Sequence, residues 1–465
     1  MDALPSNERS VREDGRMRPI AEIAADLNAG AVTSRALTEE ALARIEDPNG
    51  EGSRTFIRVF SESALAAADA SDRLRATGVV PSPLAGIPMS IKDLCDVAGI
   101  TTYAGSATMR NAPPAKRDAP VIARLRSAGA VIMGTTNMTE FAVGGLGLNP
   151  HFGDCRNPYD RATGRIPGGS SSGAAISVTD GMAAAGLGTD TAGSVRIPAA
   201  FCGLAGFKPT VGRVPTEGVF PLSTTLDSVG PLAPTLACCA VVDAIFAGEE
   251  PTTPEPIPLD GLRFGIPDAL VTDSLEPAVA AAFEMSVTKL SRAGVRIENV
   301  AIPGLAELAT VGRVRFPSMV EGYAIHRERL ENSLDQMDPR ISDRLRAGNE
   351  MSGPDYYDVL RYRLDLIERT EPITARYDAM IMPTLPITAP PIADFLENEE
   401  SRRDPHIIVI RNASIANLLD RCALTVPCHE PDTAPVGFML MGEHMADRRL
   451  MAIGMSVEKI IGTFS

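Results

Sequence analysis

The sequence predicts an α/β fold in which helices cover a β-sheet. Residues 119–128 carry a helical apolar pattern, Gly129 follows as a C-cap, and 130–134 is a short apolar strand. A second alternation of strand, helix and strand occupies 262–300. Such alternation is typical of a sheet with helices packed on it. The composition, 44% hydrophobic and 22% charged, is that of a globular protein, and no run approaches the ~18 apolar residues of a membrane span.

The first elements along the chain are helices and short strands. Three helices are predicted before the second strand: 20–27, 34–45 and 63–76. Thr33 or Ser34 is the expected N-cap of the second helix, because a hydroxyl there can accept a backbone N–H. A strand at 55–60 precedes the third helix, and a strand at 84–91 ends at Lys92.

The middle of the chain, residues 144–230, is rich in Gly, Ser, Thr and Ala. Apolar runs at 176–178, 183–187 and 195–201 predict buried helices or strands there and argue against disorder. Glycine at this density lets backbone approach backbone or a ligand closely. We therefore expect an active site built from peptide N–H groups in this segment.

The first residues of the chain and the segments after the glycine-rich middle differ in character. Residues 1–18 are charged, broken by Pro5 and lack an apolar signal region, so they predict a disordered head and no secretion signal. A proline-rich acidic connection is expected at 248–258. The elements predicted beyond it are the strands 262–266, 295–300 and 378–382, a helix at 278–292 and a helical section at 305–375.

Charge and cysteine content narrow the function classes. The net charge is −15, from 59 acidic and 44 basic residues, so direct nucleic-acid binding is not expected. Seven cysteines without C-x-x-C spacing indicate reduced thiols, and the five histidines form no H-E-x-x-H motif. We expect no metal, no cofactor, no membrane association and a cytoplasmic location.

Two serine motifs compete for the nucleophile. Residues 169–173 match the short G-x-S-x-G pattern, which would place Ser171 on a nucleophile elbow. In 188–199, small residues precede Ser194, and their N–H groups can form an oxyanion site. The second motif is equally consistent with an ordinary helix start capped by Asp190 or Thr191.

Lysine is the base that this composition favours. The chain has only five lysines, and no histidine lies near either serine motif. A lysine base must be neutral, which requires lowering its pKa by roughly three units at a cost of about 4 kcal/mol. Lys92 follows the apolar residues Ile87, Met89 and Ile91, so burial can supply this shift.

Four segments together resemble the amidase signature family of serine hydrolases. They are LAGIPMSIKD at 84–93, AVIMGTTNMTEFA at 130–142, PGGSSSGAA at 167–175 and GTDTAGSVRIPAAFCGLAGFKPTVGRVP at 188–215. The resemblance implies one α/β/α domain over 19–465 with a large, mixed, twisted sheet. Its signature core would span about 84–235, and its C-terminal part would span 259–465.

The resemblance also implies site residues. Ser194 would be the nucleophile, Ser170 a bridging serine after a cis peptide bond from Gly169, and Lys92 the base. The oxyanion hole would consist of the backbone N–H groups of Thr191, Ala192, Gly193 and Ser194. Loop support would come from Ser171, Asp190 and Arg196, the last two as an ion pair. The substrate pocket would include Met138, Thr139, Phe141, Gly144 and Gly145.

The chain departs from the family's commoner motifs at two positions. Ser172 and Ala192 each stand where glycine is more usual. The first change costs little if Ser172 has a negative φ. The second adds one methyl group to the loop but keeps the N–H.

The implied activity is hydrolysis of a small carboxylic amide, or a related carbamate or urea-type substrate, through a serine acyl-enzyme. The alternative is the amidase subunit of a tRNA-dependent amidotransferase, which releases ammonia from glutamine and relies on partners for tRNA. A non-catalytic binding protein is a third possibility, and a homodimer is a possible assembly. Because Arg196 is expected to pair with Asp190, no cation is evident near Ser194, so neutral amides should react faster than carboxylate-bearing ones. The reverse ranking would indicate an arginine from the section around 313–329.

Overall fold

A computed structural model describes residues 11–12, 15–311, 316–396 and 405–462. Within them the chain forms eleven strands: β1 Phe56–Val59, β2 Pro88–Lys92, β3 Val131–Thr136, β4 Ala185–Asp190, β5 Ala205–Lys208, β6 Ser228–Ala233, β7 Arg263–Pro267, β8 Arg296–Val300, β9 Ala379–Pro383, β10 Ala423–Pro427 and β11 Gly437–Met441. They join in one sheet in the order β1-β3-β2-β4-β6-β5-β10-β11-β9-β7-β8.

The sheet is mixed. β2 runs parallel to β3 and β4, and β7 runs parallel to β8 and β9, whereas β4, β5 and β6 pair antiparallel. The prediction of a single α/β domain with a large mixed sheet is therefore confirmed. The parallel β7–β8 pair confirms the strand–helix–strand unit that 262–300 predicted.

Helices surround the sheet. The α-helices of the described residues are α1 Ile20–Ala29, α2 Ser34–Glu46, α3 Gly52–Thr55, α4 Ser61–Ala76, α5 Pro120–Ser127, α6 Ser172–Thr179, α7 Arg196–Phe201, α8 Leu236–Ala247, α9 Pro277–Arg292, α10 Pro303–Val311, α11 Pro317–Asn332, α12 Pro339–Arg346, α13 Gly353–Thr374, α14 Ala393–Leu396, α15 Pro405–Ile410, α16 Ser414–Leu418 and α17 Asp447–Ile461. Thr33 caps α2 by accepting the N–H of Ala36 at 3.1 Å, as expected. No helix in the described ranges is long and apolar enough to cross a bilayer.

Strand β4 shows why the glycine-rich segment belongs in the centre of the fold. Ala185 and Leu187 join the main apolar core on one face of the sheet. On the other face, a Cβ at Gly186 would lie 2.8 Å from a backbone oxygen of α6, and a Cβ at Gly188 would lie 2.8 Å from Ser171 Oγ. The glycines therefore let α6, and the serine loop that precedes it, approach the sheet closely.

The predicted disordered head needs a correction where the structure describes it. Met17 is fully buried and forms an isolated antiparallel bridge with Val11. Arg16 Nη1 donates to the carbonyl of Gly203 at 2.8 Å. Burial of Met17 in the main core holds this part of the head, so the predicted disorder over 1–18 is wrong for these residues. Residues 1–10, 13 and 14 lie outside the described part.

Candidate active site

Lys92 stands at the end of β2, a strand whose five residues are all buried and which lies between β3 and β4 in the sheet. Its Nζ lies 2.7 Å from Ser170 Oγ and 2.8 Å from Thr189 Oγ1. Burial lowers the pKa of Lys92 to about 7, and the nearby Cys95, Asp227 and Asp190 offset only part of that effect. The lysine can therefore exist as the neutral amine near neutral pH.

Asp93, the next residue, does not pair with Lys92 within the described residues. Its Oδ2 accepts the N–H of Gly105 at 3.3 Å, and burial raises the pKa of this carboxyl to about 7. The carboxyl is therefore turned toward Gly105 and makes no hydrogen bond to the lysine within the described residues. It therefore does not hold Lys92 in the charged form.

Ser170 lies at the start of the loop that enters α6. The Gly169–Ser170 peptide bond is cis, as the resemblance implied. Ser170 is fully buried, and its carbonyl accepts the N–H of Thr139 at 3.1 Å. Its hydroxyl is thereby held against Lys92 Nζ.

Ser171 is held in the interior and not on an elbow. Its Oγ is 3.3 Å from both the N–H and the carbonyl oxygen of Thr189, and the side chain is fully buried. A nucleophile on an elbow needs an exposed hydroxyl, so this geometry supports a loop-supporting role. Ser172 begins α6 and is not among the residues with positive φ, so its replacement of glycine costs no backbone strain.

Asp190 and Arg196 form the expected ion pair at 3.0 Å, and both side chains are fully buried. Burial alone would raise the carboxyl's pKa, but the charge and hydrogen bonds of Arg196 hold the pKa of Asp190 at about 2. Asp190 also accepts the N–H groups of Gly193 at 2.8 Å and Val195 at 3.2 Å. The pair therefore fixes the curvature of the loop that carries Ser194.

The oxyanion-hole prediction needs one correction. The N–H of Gly193 is already donated to Asp190, so it cannot also face an oxyanion. The N–H groups of Thr191, Ala192 and Ser194 make no hydrogen bond within the described chain. A Cβ at Gly193 would lie 2.5 Å from the Ala413 side chain, with φ at +115°, so this position requires glycine.

Ser194 lies on the wall of a cavity of about 320 Å³. Thr191 and Ala192 line the same wall. Among the described residues, Ser194 Oγ makes no hydrogen bond to Ser170 or Lys92, although these two are bonded to each other. Catalytic hydrogen bonds are often long without substrate and shorten in the reacting complex.

The predicted pocket segment is placed only in part. Gly144 and Gly145 line the cavity, whereas Met138, Thr139 and Phe141 do not. Met138 and Phe141 are fully buried in a separate apolar cluster, where the Phe141 ring lies 4.1 Å from the ring of His326. Thr139 is buried beneath Gly144, with its Cγ2 3.6 Å from where a Cβ of Gly144 would stand. The cluster that holds Met138 and Phe141 also contains Val143 and Leu345, which line the cavity.

Two arginines that the sequence did not single out line the cavity with Ser194. They are Arg344, in the last turn of α12, and Arg411, which follows α15. The expectation that no cation lies near Ser194 is therefore wrong. Both come from segments far from Ser194 in sequence, so local patterns gave no signal. Arg313, in the section from which the sequence suggested a distant arginine, lies outside the described residues.

Other contributing residues were also missed from the sequence. Thr189 bonds Lys92 from β4, and Asn417 Nδ2 donates to Asp190 Oδ1 at 2.9 Å. Thr189 lies inside the GTDTAGS motif, so the motif could have indicated it. No pattern in the sequence around Asn417 indicates a role at the site. The described residues contain no group of three or more His, Cys, Asp or Glu side chains that could hold a metal ion.

Comparison with known proteins gives matches along nearly the whole chain. The family model described as Amidase matches residues 36–451. The chain is 37% identical over 454 residues to the 2-amino-5-chloromuconic acid deaminase of Comamonas testosteroni, covering 95% of this chain and 96% of that protein. It is 34% identical over 471 residues to one subunit of the glutamyl-tRNA(Gln) amidotransferase of Chloroflexus aggregans, covering 93% and 94%. A crystal structure of an amidase superposes with a TM-score of 0.85 at 32% identity, covering 96% of this chain and all of that one.

Proposed function

Because this chain belongs to the amidase family and is an enzyme that hydrolyses amide carbon–nitrogen bonds, we propose that Ser194, Ser170 and Lys92 carry out its reaction. The observation that carries this assignment is the buried contact of 2.7 Å between Lys92 Nζ and Ser170 Oγ. Burial also lowers the pKa of Lys92 to about 7, which suits a general base at neutral pH. The proposed substrate is a small carboxylic amide.

Acylation begins with neutral Lys92. In this form Nζ donates to Thr189 Oγ1 and accepts the hydroxyl proton of Ser170. Ser170 in turn accepts the proton of Ser194 as Ser194 Oγ attacks the amide carbonyl carbon. One proton thus moves from Ser194 through Ser170 to Lys92, and the carbonyl oxygen becomes an oxyanion.

The oxyanion is stabilised by backbone donors that the fold leaves available. These are the N–H groups of Thr191, Ala192 and Ser194, on a loop fixed by the buried Asp190–Arg196 pair. Each such donor contributes about 3 kcal/mol, since removing one costs roughly 10² to 10³ in rate.

The leaving nitrogen then takes a proton from Ser170, which is reprotonated by Lys92. Collapse of the tetrahedral intermediate breaks the C–N bond, releases ammonia or an amine and leaves an ester on Ser194. Water repeats the same proton transfers in the second half of the cycle, which restores Ser194 and releases the acid.

Variants at two serines test the assignment of the nucleophile. We expect Ser194→Ala to lose amide hydrolysis with unchanged thermal unfolding, because only one oxygen is removed at a cavity wall. A fluorophosphonate probe should add its mass to the peptide containing Ser194. Ser171→Ala is the matched control and should keep most of its activity. Loss of activity in Ser171→Ala with retention in Ser194→Ala would contradict the assignment and favour the elbow motif.

The second candidate is the amidotransferase amidase, which the 34% identity to the Chloroflexus aggregans protein favours. We propose stand-alone hydrolysis instead, since one chain supplies the nucleophile, base and oxyanion donors. The purified chain should release ammonia or amine from small amides without tRNA, ATP or other subunits. Activity restricted to glutamine, appearing only with partner proteins and tRNA, would establish the alternative.

We also propose a cytoplasmic location and no direct contact with nucleic acid. All seven cysteines are buried and free, which suits a reducing compartment. The net charge of −15 opposes binding to phosphate backbones. A homodimer stays a prediction, for which light scattering of the purified chain is the measurement.

A further inference from the structure

The cavity beside Ser194 combines an apolar lining with positive charge. Most of its lining is apolar and includes Val143, Leu270, Phe316, Ile407, Ile410 and Leu418. Arg344 and Arg411 also line it, and no Asp or Glu does among the described residues. A charge in apolar surroundings is costly unless an opposite charge compensates it, so a guanidinium of this lining that no carboxylate pairs calls for an anion.

Arg411 has few partners in the described part of the chain. Its Nε donates to Asn412 Oδ1 at 3.0 Å, and its buried Nη2 has no hydrogen-bond partner. It forms no salt bridge with a described carboxylate, and Asp273 acts on it only through a longer-range charge interaction. Because a guanidinium remains protonated even when buried, this side chain presents to the cavity a positive charge that no described carboxylate pairs directly.

The position of Arg411 relative to the nucleophile is fixed by its own segment. Asn412 Nδ2 donates to the carbonyls of Val271 and Pro383, each at 2.9 Å, so the amide that orients Arg411 is itself anchored. The carbonyl of Ala413 accepts Arg196 Nη1 at 2.7 Å. The segment that carries Arg411 therefore braces the loop that carries Ser194.

Arg344 reaches the cavity next to the glycines of the predicted pocket segment. Its Nη1 donates to the carbonyl of Val143 at 3.3 Å. A Cβ on Gly144 would lie 2.6 Å from this Nη1, so the absence of a side chain at Gly144 makes room for the guanidinium. The φ of Gly144 is +140°, which also favours glycine.

His406 belongs to the same lining. Its Nδ1 accepts the N–H of Gly145 at 3.0 Å, so this nitrogen carries no proton and Nε2 carries the ring hydrogen. The polar side chains of the lining thus include two guanidinium groups and an imidazole. Donors of this kind suit a carboxylate, which only accepts hydrogen bonds.

We infer that the cavity selects amides whose acyl part ends in a carboxylate, that is, monoamides of dicarboxylic acids with a hydrocarbon chain, and that Arg411 and Arg344 determine this specificity. The inference rests on the proposed function, because it places the scissile carbonyl at Ser194 and the oxyanion donors. The apolar lining contacts the hydrocarbon chain, while the guanidinium groups bind the distal carboxylate. This inference reverses the sequence-based expectation, because carboxylate-bearing amides should now react faster than neutral ones.

The test compares adipamic acid, the monoamide of adipic acid, with hexanamide, in which a methyl group replaces the carboxylate. The measured quantity is the selectivity ratio, kcat/KM for adipamate divided by kcat/KM for hexanamide. We expect a ratio of about 100 in the natural chain, the range of a charge-assisted pair of hydrogen bonds. Arg411→Gln should lower the ratio by roughly 10- to 100-fold, mainly through KM for adipamate, because ground-state binding is lost. Arg344→Gln should also lower the selectivity ratio.

Arg346→Gln is the matched control. Arg346 lies in the same helix as Arg344, its side chain is half exposed, and it does not line the cavity. The selectivity ratio of Arg346→Gln should equal that of the natural chain. Thermal unfolding of each variant checks that the fold is intact.

Binding separates failure of this inference from failure of the proposed function. Calorimetry with Ser194→Ala should show adipamate binding that weakens when Arg411→Gln is added. Faster hydrolysis of hexanamide than of adipamate, or a ratio unaffected by both arginine variants, would overturn the inference and leave the amidase mechanism in place. If neither amide is hydrolysed, arginine-dependent adipamate binding would still support the cavity assignment, and its absence would overturn it.

Discussion

Replacing Lys92 with methionine should abolish hydrolysis and, near neutral pH, stabilise the fold. Methionine keeps a similar unbranched shape but has no ionisable group, so the variant removes both the proposed base and the cost of burying it. In the natural chain that cost arises because burial lowers the pKa of Lys92 to about 7, whereas an unfolded lysine titrates near 10.5.

The size of the effect follows from this difference. Each pKa unit corresponds to about 1.4 kcal/mol, so protonated Lys92 costs the fold about 5 kcal/mol below pH 7 and about 4 kcal/mol at pH 7. Methionine also loses the bonds to Ser170 and Thr189, each of which contributes about 1 kcal/mol. The net expected gain for Lys92→Met is therefore about 2 kcal/mol at pH 7.

The pH dependence has a definite sign. Between pH 7 and 10.5 the unfolded chain binds more protons than the folded chain, so the stability of the natural protein rises with pH through this window. Lys92→Met lacks this pH-dependent contribution to stability. Its advantage should shrink with rising pH, vanish near about pH 9 and become a disadvantage of about 1 kcal/mol near pH 10.

Urea unfolding at pH 6 to 10 measures the predicted stability difference, and amide hydrolysis by the same samples measures the predicted loss of activity. The difference in unfolding free energy between the two proteins isolates Lys92, because the other titrating groups are common to both. Lys116→Met, at an exposed lysine, is the control and should show no such trend. A stability difference that stays constant from pH 6 to 10 would refute the reasoning, and so would an active methionine variant.

Two further predictions concern the same site. The kcat/KM of the natural enzyme should fall about tenfold per pH unit below pH 7, because Lys92 becomes protonated there. Lys92→Arg should be inactive at every pH, since guanidinium stays protonated. An active arginine variant would exclude the general-base role. Asp190→Asn should destabilise the fold by about 3 to 5 kcal/mol in urea unfolding, because it leaves the charge of Arg196 buried and uncompensated. Unchanged stability would show that the ion pair does not stabilise the loop.

The sequence determined the features that depend on near neighbours. The helix at 34–45 and its cap at Thr33 follow from apolar spacing and a hydroxyl at the right position. Asp190 and Arg196 are six residues apart, so their pairing follows from the turn between them. The motif resemblance led to Lys92 and Ser170 as partners although 78 residues separate them, and no local pattern contains that contact.

Only the tertiary structure decided which charges the cavity contains and which backbone donors are available. Arg344, in α12, and Arg411, after α15, line the same cavity as Ser194 although both are far from it in the sequence. Gly193 is excluded as an oxyanion donor because Asp190 occupies its N–H, a hydrogen bond that depends on how the loop curls. The physical reason is that local preferences act over a few residues, whereas burial and charge compensation depend on every element packed around a group. The motif resemblance therefore led to the proposed reacting groups, and packing determined which charges line the cavity beside them.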